Sequence, residues 1–281
     1  MSVSEEFATL AGALRAASRQ IERLDARLLL EYVSGCRHAD FIARGDTPLS
    51  AAQQQQLAAL IDRRLAGEPL AYLVGSAEFR GLNLAVSPAV LVPRADTELL
   101  VDLALQRIAG QEAPRIVDLG TGSGAIAIAI AVARPDAIVT AVDRSPEALA
   151  VAAANAARHG AAIRFLASDW YRALAGERFE LIVSNPPYIA AGDPHLAGDG
   201  LRFEPNMALT DGGDGLSCLR TIVAEAPAHL AGGGSLLMEH GYDQAEDCRN
   251  LLAAAGFQDV HSWRDLPGIE RVSGGKYRPP L

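Results

Sequence analysis

The first quarter of the chain places apolar residues at helical spacing. From Ser4 to about Val74, leucine and isoleucine recur every three or four positions, as on the buried face of an amphipathic helix. Gly35 suits a helix end, and Ser50 followed by Gln53 is typical of a capping box that begins a helix. The pattern predicts a small all-α domain over residues 1–74.

The period changes after this stretch. Apolar residues between Glu78 and Pro93 alternate with polar ones and are interrupted by glycine, asparagine and proline, which predicts a β-hairpin. We expect this hairpin, over residues 75–94, to link two domains. Asp96-Thr97-Glu98 then has side chains typical of a helix start, so a helix is predicted to about Ile108.

Strand and helix patterns alternate from Arg115 onward, which predicts a second domain over residues 95–281. Such alternation is typical of an α/β fold with a mostly parallel, doubly wound, Rossmann-like sheet. The run Ala125–Ala133 alternates small and large residues as a strand would. It follows a glycine-rich loop, however, so we interpret it as a helix that is buried on all sides. Gln258–Trp263 and Glu270–Ser273 are expected to close the sheet as an antiparallel pair.

Composition narrows the class of protein. The hydrophobic fraction of 49% over 281 residues indicates a well-packed globular chain. The formal charge is -9 and Lys276 is the only lysine, which argues against sequence-independent binding of nucleic acid. The cysteines are far apart and lack metal-ligand spacing, so we expect reduced thiols and no metal site at Cys36, Cys218 and Cys248.

The expected location follows from two further features. Glu5 and Glu6 stand where a signal peptide would need a basic flank and an apolar stretch. The longest apolar run, Ala125–Ala133, is too short to span a bilayer. We therefore expect a cytoplasmic protein without a membrane partner.

A glycine-rich loop lies between the first predicted strand of the second domain and the helix at Ala125. Glycines permit a tight turn and let the backbone approach a ligand at the carboxyl edge of the sheet. With Ala125 the loop also fits the dinucleotide pattern, so it does not by itself separate NAD from S-adenosylmethionine. We predict cofactor contacts from Gly120, Thr121, Gly122, Ser123 and Gly124.

Acidic residues follow the next two predicted strands. Asp143 is placed to accept hydrogen bonds from ribose hydroxyl groups, or alternatively to cap the helix that begins at Pro146. Asp169 and Trp170 suit the amino edge and the face of an adenine, although tryptophan in this setting also occurs as a core residue. We predict that all three contact the cofactor.

The tetrapeptide Asn185-Pro186-Pro187-Tyr188 follows a predicted buried strand and indicates methylation of a planar amino group. Such a group is a poor nucleophile until its two N–H donors are held. The side-chain carbonyl of Asn185 and the backbone carbonyl of Pro186 can accept them, and Tyr188 can stack on the flat face of the substrate. These three are predicted catalytic residues, and Pro187 completes the substrate site. The alternative is a purely structural proline-rich turn.

The tetrapeptide also favours one cofactor, because it has a chemical purpose beside a sulfonium methyl group and none beside a nicotinamide. With these motifs the chain resembles the peptide chain release factor glutamine methyltransferases, the PrmC/HemK family of class I S-adenosylmethionine enzymes. The resemblance extends over nearly the whole chain. Ala95 departs from the family pattern, in which proline is expected, but the neighbouring acidic residues are in place.

The resemblance implies a function and assigns residues. Family enzymes methylate the glutamine side-chain amide nitrogen in the Gly-Gly-Gln motif of release factors, in translation termination, and release S-adenosylhomocysteine. It implies that the glycine loop, Asp143, Trp170 and Asn185 contact the cofactor, and that residues 185–188 hold the glutamine. The helical domain would recognise the release factor. Glu204 would orient a lid loop over residues 189–207, or serve as a surface or capping carboxylate.

Several alternatives remain open from the sequence. A related enzyme that modifies a glutamine of a large-subunit ribosomal protein would have much the same motifs. An adenine amino-group methyltransferase of DNA or RNA would use the same tetrapeptide, but the acidic balance disfavours it. An NAD-dependent oxidoreductase leaves the tetrapeptide unexplained. A non-catalytic protein that only binds the cofactor is the fourth possibility.

Overall fold

The computed structural model describes residues 7–198 and 200–278. The predictions for Ser4, Glu5 and Glu6 lie outside these residues. The chain divides into two compact units between Gly75 and Ser76. Within the described residues, none of the helices combines the length and the apolar character that crossing a membrane requires.

The first unit is helical, as predicted. Ser50 and Gln53 form the predicted capping box, and Gly35 ends a helix in the left-handed conformation at φ +71°. Leucine side chains from several helices form its core. The helices of its described part are α1 (Leu10–Ala17), α2 (Arg23–Ser34), α3 (His38–Ala43), α4 (Ala51–Leu65) and α5 (Leu70–Val74).

The second unit alternates strands and helices after an initial hairpin. Its described strands are β1 (Ser76–Phe79), β2 (Leu82–Ala85), β3 (Arg115–Leu119), β4 (Ile138–Asp143), β5 (Ile163–Ala167), β6 (Phe179–Ser184), β7 (Leu230–Glu239), β8 (Phe257–Arg264) and β9 (Glu270–Tyr277). Its described helices are α6 (Glu98–Arg107), α7 (Ala125–Ala133), α8 (Pro146–His159), α9 (Asn206–Leu209), α10 (Ser217–His229) and α11 (Ala245–Ala254).

The predicted doubly wound α/β sheet is confirmed. Among the described residues, seven strands form one sheet in the order β5-β4-β3-β6-β7-β9-β8. Strands β3 to β7 run parallel, whereas β9 lies antiparallel to both β7 and β8. The antiparallel closing pair is therefore also confirmed. Leu119 of β3 pairs with Ser184 of β6, so the loops that follow these strands leave from the same sheet edge.

Helix α7 is confirmed as a helix, and it is buried except at its last two residues, Val132 and Ala133. Its residues Ala125–Ala131 are all buried and belong to the main core cluster of the second unit. Alternating small and large residues normally indicate a strand only when one face meets water. Over Ala125–Ala131 both the small and the large side chains are buried, so the alternation of sizes does not mark an exposed face.

The hairpin differs from the prediction in extent. Strands β1 and β2 pair over residues 76–85, and the chain from Val86 to Arg94 forms no strand although Val90 and Val92 are buried. Prolines at 88 and 93 lack the N–H donor that a ladder needs, so this segment packs without pairing. The hairpin itself belongs to the second compact unit.

Asn155 attaches this hairpin to the glycine-rich loop. Its side chain accepts a hydrogen bond from the N–H of Ala85 at 2.7 Å and donates to the carbonyl oxygens of Ala85 and Ser123, each at 2.9 Å. The residue is buried in helix α8. A lone asparagine in an otherwise alanine-rich helix was a readable signal for such a role.

We expect Asn155→Ala to destabilise the protein, because one buried and two half-buried backbone groups would lose their partner. The expected loss of unfolding free energy is at least about 2 kcal/mol. Asn83→Ala, at an exposed position of the same hairpin, is the control and should change stability by less than about 0.5 kcal/mol. Urea unfolding of both variants measures this difference, and equal losses would contradict the role of Asn155.

Gly124 begins helix α7 and is required there for close packing. Its φ is +83°, and a Cβ at this position would lie 2.9 Å from Ile128 Cδ1 and 3.1 Å from Ala152 Cβ. Gly160 also has positive φ, at +66°, but apart from its chain neighbours no atom of the described residues lies within 4 Å of its would-be Cβ. The two glycines therefore share the conformational requirement and differ in the space around them.

Gly124→Ala is expected to destabilise the protein more than Gly160→Ala. Both variants incur the left-handed penalty of about 1–2 kcal/mol. Only Gly124→Ala adds overpacking, at about 1–3 kcal/mol. Thermal unfolding of the two variants checks the prediction, and identical shifts in Tm would show that packing against Ala152 is not limiting.

Candidate active site

A cavity of about 210 Å³ opens at the sheet edge where strands β3, β4 and β6 end. It brings together most of the residues predicted from sequence. The predicted residues that line it are Gly120, Thr121, Gly122, Ser123, Asp143, Asp169, Trp170, Asn185 and Pro187. Gly124, Pro186 and Tyr188 are not among the lining residues. Gly124 packs against helix α8 instead, as described above.

The glycine loop adopts a backbone that only glycine accommodates readily. Gly120 and Gly122 have φ values of +76° and +54°. A Cβ on Gly120 would lie 3.5 Å from the Trp170 ring. Within the part of the chain that the structure describes, only the chain neighbours of Gly122 lie within 4 Å of a Cβ placed on it. The loop thus leaves open space for a ligand on one side and contacts an aromatic ring on the other.

Asp143 holds the loop and does not cap the following helix. Its Oδ2 accepts from the N–H of Gly122 at 2.9 Å, and its Oδ1 accepts from the N–H of Ser145 at 2.9 Å. The helix cap is Ser145, whose Oγ accepts from the N–H of Ala148 at 3.1 Å. The capping alternative for Asp143 is therefore wrong. Each carboxylate oxygen keeps a second lone pair for a ligand hydroxyl group.

Trp170 lines the cavity in a strained conformation. Its φ is +50°, which is uncommon for a bulky residue. Ser168 holds it there, because its hydroxyl group donates to the Trp170 carbonyl at 2.8 Å and accepts from the N–H of Ala173 at 3.0 Å. The neighbouring Asp169 is partly exposed and lies 3.4 Å from Arg172. Strain of this kind is typical of residues that position a ligand.

The tetrapeptide begins directly after strand β6. Ser184 donates to the Leu119 carbonyl at 2.7 Å, which fixes the end of β6 against β3. Asn185 Nδ2 donates to Thr97 Oγ1 at 3.1 Å. Pro186 is buried, and Tyr188 donates from its hydroxyl group to Glu239 Oε1 at 3.2 Å. Burial raises the pKa of Tyr188, so it remains a protonated donor.

Glu204 is buried and anchors the segment that follows the tetrapeptide. Its side chain accepts from the N–H of Val92 at 3.0 Å and forms an ion pair with Arg94. Pro205 and Met207, next to it, line the cavity together with Arg94. The interpretation of Glu204 as a surface carboxylate is therefore wrong. This buried carboxylate ties the segment that follows the tetrapeptide to Val92 and Arg94.

Sequence reasoning missed two buried carboxyl groups beside the site. Asp118, at the end of β3, accepts from the Thr121 hydroxyl group at 2.7 Å, and burial raises its pKa to about 7. Burial likewise raises the pKa of Glu239 to about 7. An isolated acid at the end of an apolar strand was the available signal in both cases.

The cavity fits a nucleoside-containing cofactor. Asp143 offers free lone pairs to ribose hydroxyl groups, Trp170 offers an aromatic face, and Gly122 leaves space where a side chain would stand. The loop also precedes the N-terminus of helix α7, whose first residues Ala125 and Ile126 line the cavity. The fit agrees with the predicted use of S-adenosylmethionine.

Two family models match the chain. One is described as the PrmC N-terminal domain and matches residues 7–75. The other is described as the methyltransferase small domain and matches residues 95–215. The second match contains the glycine loop, both acidic strand ends and the tetrapeptide.

Curated relatives match over nearly the full length of both chains. A release factor glutamine methyltransferase of Bordetella pertussis is 56% identical over 91% of this chain and 95% of its own. Its Burkholderia pseudomallei counterpart is 55% identical over 96% of each chain. The Escherichia coli enzyme of the same name is 48% identical over 91% and 92%.

Solved structures share the fold at lower identity. A methyltransferase from Pyrococcus furiosus superposes with a TM-score of 0.54 at 19% identity, over 78% of this chain and 98% of its own. A 16S rRNA N2 methyltransferase of T. thermophilus, in complex with AdoMet and guanosine, has a TM-score of 0.53 at 21% identity, over 72% and 50%. These solved structures share the fold, and the curated relatives show that the chain belongs to the release factor glutamine methyltransferases, a family of class I S-adenosylmethionine-dependent methyltransferases.

Proposed function

We propose that this protein transfers a methyl group from S-adenosylmethionine to the side-chain amide nitrogen of the glutamine in the Gly-Gly-Gln motif of peptide chain release factors. The observation that carries the proposal is the Asn185 amide, which stands at the cavity edge with its Nδ2 engaged by Thr97. The names of the curated relatives support the choice of substrate. Release factors act at ribosomes, so the proposed enzyme would work in the cytoplasm.

The proposed cofactor site uses the cavity lining. Gly120 to Ser123 would approach the cofactor through their backbone, Asp143 would accept hydrogen bonds from ribose hydroxyl groups, and Asp169 and Trp170 would contact the adenine. When bound, S-adenosylmethionine supplies an electrophilic methyl group. Gly124 would contribute indirectly, by allowing helix α7 to pack closely beneath the loop.

The proposed substrate site holds the glutamine amide by its hydrogens. Because Asn185 Nδ2 is engaged by Thr97, Oδ1 is the atom left to accept one N–H of the substrate. The Pro186 carbonyl would accept the other, and Tyr188 would contact the amide plane. These hydrogen bonds strengthen as positive charge develops on the nitrogen, and fixed geometry reduces the entropic cost of the reaction. The amide nitrogen would gain the methyl group as the bond between that group and sulfur breaks, S-adenosylhomocysteine would leave, and one N–H proton would pass to solvent.

The other substrate classes have less support. A ribosomal-protein glutamine would suit the same amide site, but the curated relatives are named for release factors. An adenine of DNA or RNA would need a protein surface that attracts phosphates, and the formal charge is -9. We therefore propose no direct contact with nucleic acid.

Methylation assays with a labelled methyl donor test the proposal. Label is expected on the Gly-Gly-Gln glutamine of a release factor, and neither on a large-subunit ribosomal protein nor on DNA. Asn185→Ala should lower kcat by at least about 10²-fold, as when one transition-state hydrogen bond is lost. Mass spectrometry of the modified peptide identifies the methylated residue.

The matched control for Asn185→Ala is Asn250→Ala, at an exposed position of helix α11, which should keep the wild-type kcat. Label found only on DNA or only on the ribosomal protein would refute the proposed substrate. Unchanged kcat in a folded Asn185→Ala variant would refute the proposed role of this residue.

We further propose that the helical unit recognises the folded release factor, since a tripeptide alone offers little surface for specificity. A chain that begins at Ser76 retains the hairpin and the complete cavity lining. It should bind S-adenosylmethionine with nearly unchanged Kd in calorimetry but lose release-factor methylation. Full activity of this shortened chain on intact release factor would contradict the recognition role.

A further inference from the structure

Glu239 is a buried acid to which the proposed methyl transfer assigns no role. It is the last residue of strand β7. Ser184, the last residue of β6, pairs with Met238 of β7. Asn185 and Glu239 are the next residues after this pair and therefore lie side by side. The residue is 1% exposed. A carboxyl group buried to this degree is costly unless it is hydrogen-bonded, so its partners indicate its role.

The hydroxyl groups of Tyr188 and Thr97 lie near this carboxyl group. Tyr188 donates to Oε1 at 3.2 Å. The buried hydroxyl group of Thr97 is close enough to the carboxyl group to lower the pKa of Glu239 against the effect of burial. Oε2 is buried and makes no hydrogen bond within the described residues, so it is free to accept the proton of Thr97.

The charge of Glu239 determines the direction of every hydrogen bond up to Asn185. A carboxylate can only accept, so a Thr97 hydroxyl group that pairs with the unpartnered Oε2 directs its single proton toward Glu239. Thr97 Oγ1 can then only accept from Asn185. The side of the Asn185 amide that faces Thr97 must therefore be the NH₂ group, which agrees with the Nδ2–Oγ1 distance of 3.1 Å.

We propose that Thr97 and Glu239 are positioning residues that fix the Asn185 amide with its carbonyl oxygen toward the substrate nitrogen, an inference that rests on the proposed methylation of an amide. Without this constraint the side-chain amide has two orientations that differ by exchange of oxygen and nitrogen. In the reversed orientation the NH₂ group of Asn185 would meet the NH₂ group of the substrate. Two donors do not bond, so the reacting nitrogen would lose one of its two acceptors.

The charged groups around Glu239 allow a pH test. Asp96 and Arg271 face the carboxyl group, Arg94 and Arg271 act on its partner Tyr188, and His240 follows it in the chain. Burial outweighs these charges and raises the pKa of Glu239 to about 7. A protonated Glu239 can donate to Thr97 and release the constraint. The wild-type kcat is therefore expected to rise as pH increases through about 7.

The experiment compares Thr97→Val, Thr97→Ser and, as a matched control, Thr221→Val in helix α10, using the full-length protein and intact release factor. Thr97→Val should lower kcat by at least about 10-fold through misorientation. Thr97→Ser should restore most of the rate, because it restores the hydroxyl group. The Kd of S-adenosylmethionine should be unchanged in all three variants, with kcat affected more than the KM of the release factor.

Glu239→Gln provides the second test. Its amide can donate to Thr97, so the variant should be slower than wild type and should lose the rise of kcat near pH 7. Asp118 also has a pKa raised to about 7, and a pH profile that persists in Glu239→Gln would assign the titration to that residue and overturn our proposal. If a thermal melt shows that Thr97→Val does not fold, the pH profile of Glu239→Gln still tests the positioning role of Glu239.

A readout without catalysis separates this inference from the proposed function. In ¹³C NMR titrations the pKa of Glu239 should be higher in Thr97→Val than in wild type, since the carboxylate loses a donor. An unchanged Glu239 pKa, or a folded Thr97→Val with the kcat of Thr221→Val, would overturn the positioning role. If the wild-type protein methylates no release factor, the proposed function fails, and the titration alone decides whether the network exists.

Discussion

The parallel pairing of strand β3 with strand β6 is the constraint on which the site depends. Leu119 lies opposite Ser184, and the Ser184 hydroxyl group donates to the Leu119 carbonyl at 2.7 Å. The glycine loop and the tetrapeptide begin at the next residue of each strand. A shift of one residue in this register would turn the alternating side chains to the opposite face and separate the two motifs. The pairing therefore sets the distance between the proposed cofactor and substrate sites.

Buried and half-buried polar side chains connect this pair of strands to the surrounding loops. Asn155 joins the hairpin to the glycine loop, Asp143 accepts from two backbone N–H groups, and Glu204 ties the lid segment to Val92 and Arg94. Each of these groups would be costly to bury without its partner. Satisfied networks of this kind make a single arrangement rigid, so the acceptors around the cavity are held in place before a ligand arrives.

The fold was largely predictable because the sequence patterns that indicate its helices and strands extend over only a few neighbouring residues. The capping box at Ser50, the buried helix Ala125–Ala133 and the antiparallel closing pair all follow from side-chain period and neighbouring glycines. The hairpin was predicted too long, since Val90 and Val92 are buried without pairing. Alternation of apolar and polar residues indicates that one side of a segment is buried. It does not indicate whether a neighbouring strand is present to form hydrogen bonds with that segment.

The sequence by itself determined which motifs exist and on which strand ends they stand, because turn chemistry, strand period and the need of positive φ for glycine act over a few residues. Only the tertiary structure decided which side chains orient those motifs. Asn185 bonds Thr97 across 88 positions, and Tyr188 bonds Glu239 across 51. These contacts depend on strand order and register, which bring distant residues into hydrogen-bond range and remove the water that would otherwise compete for them.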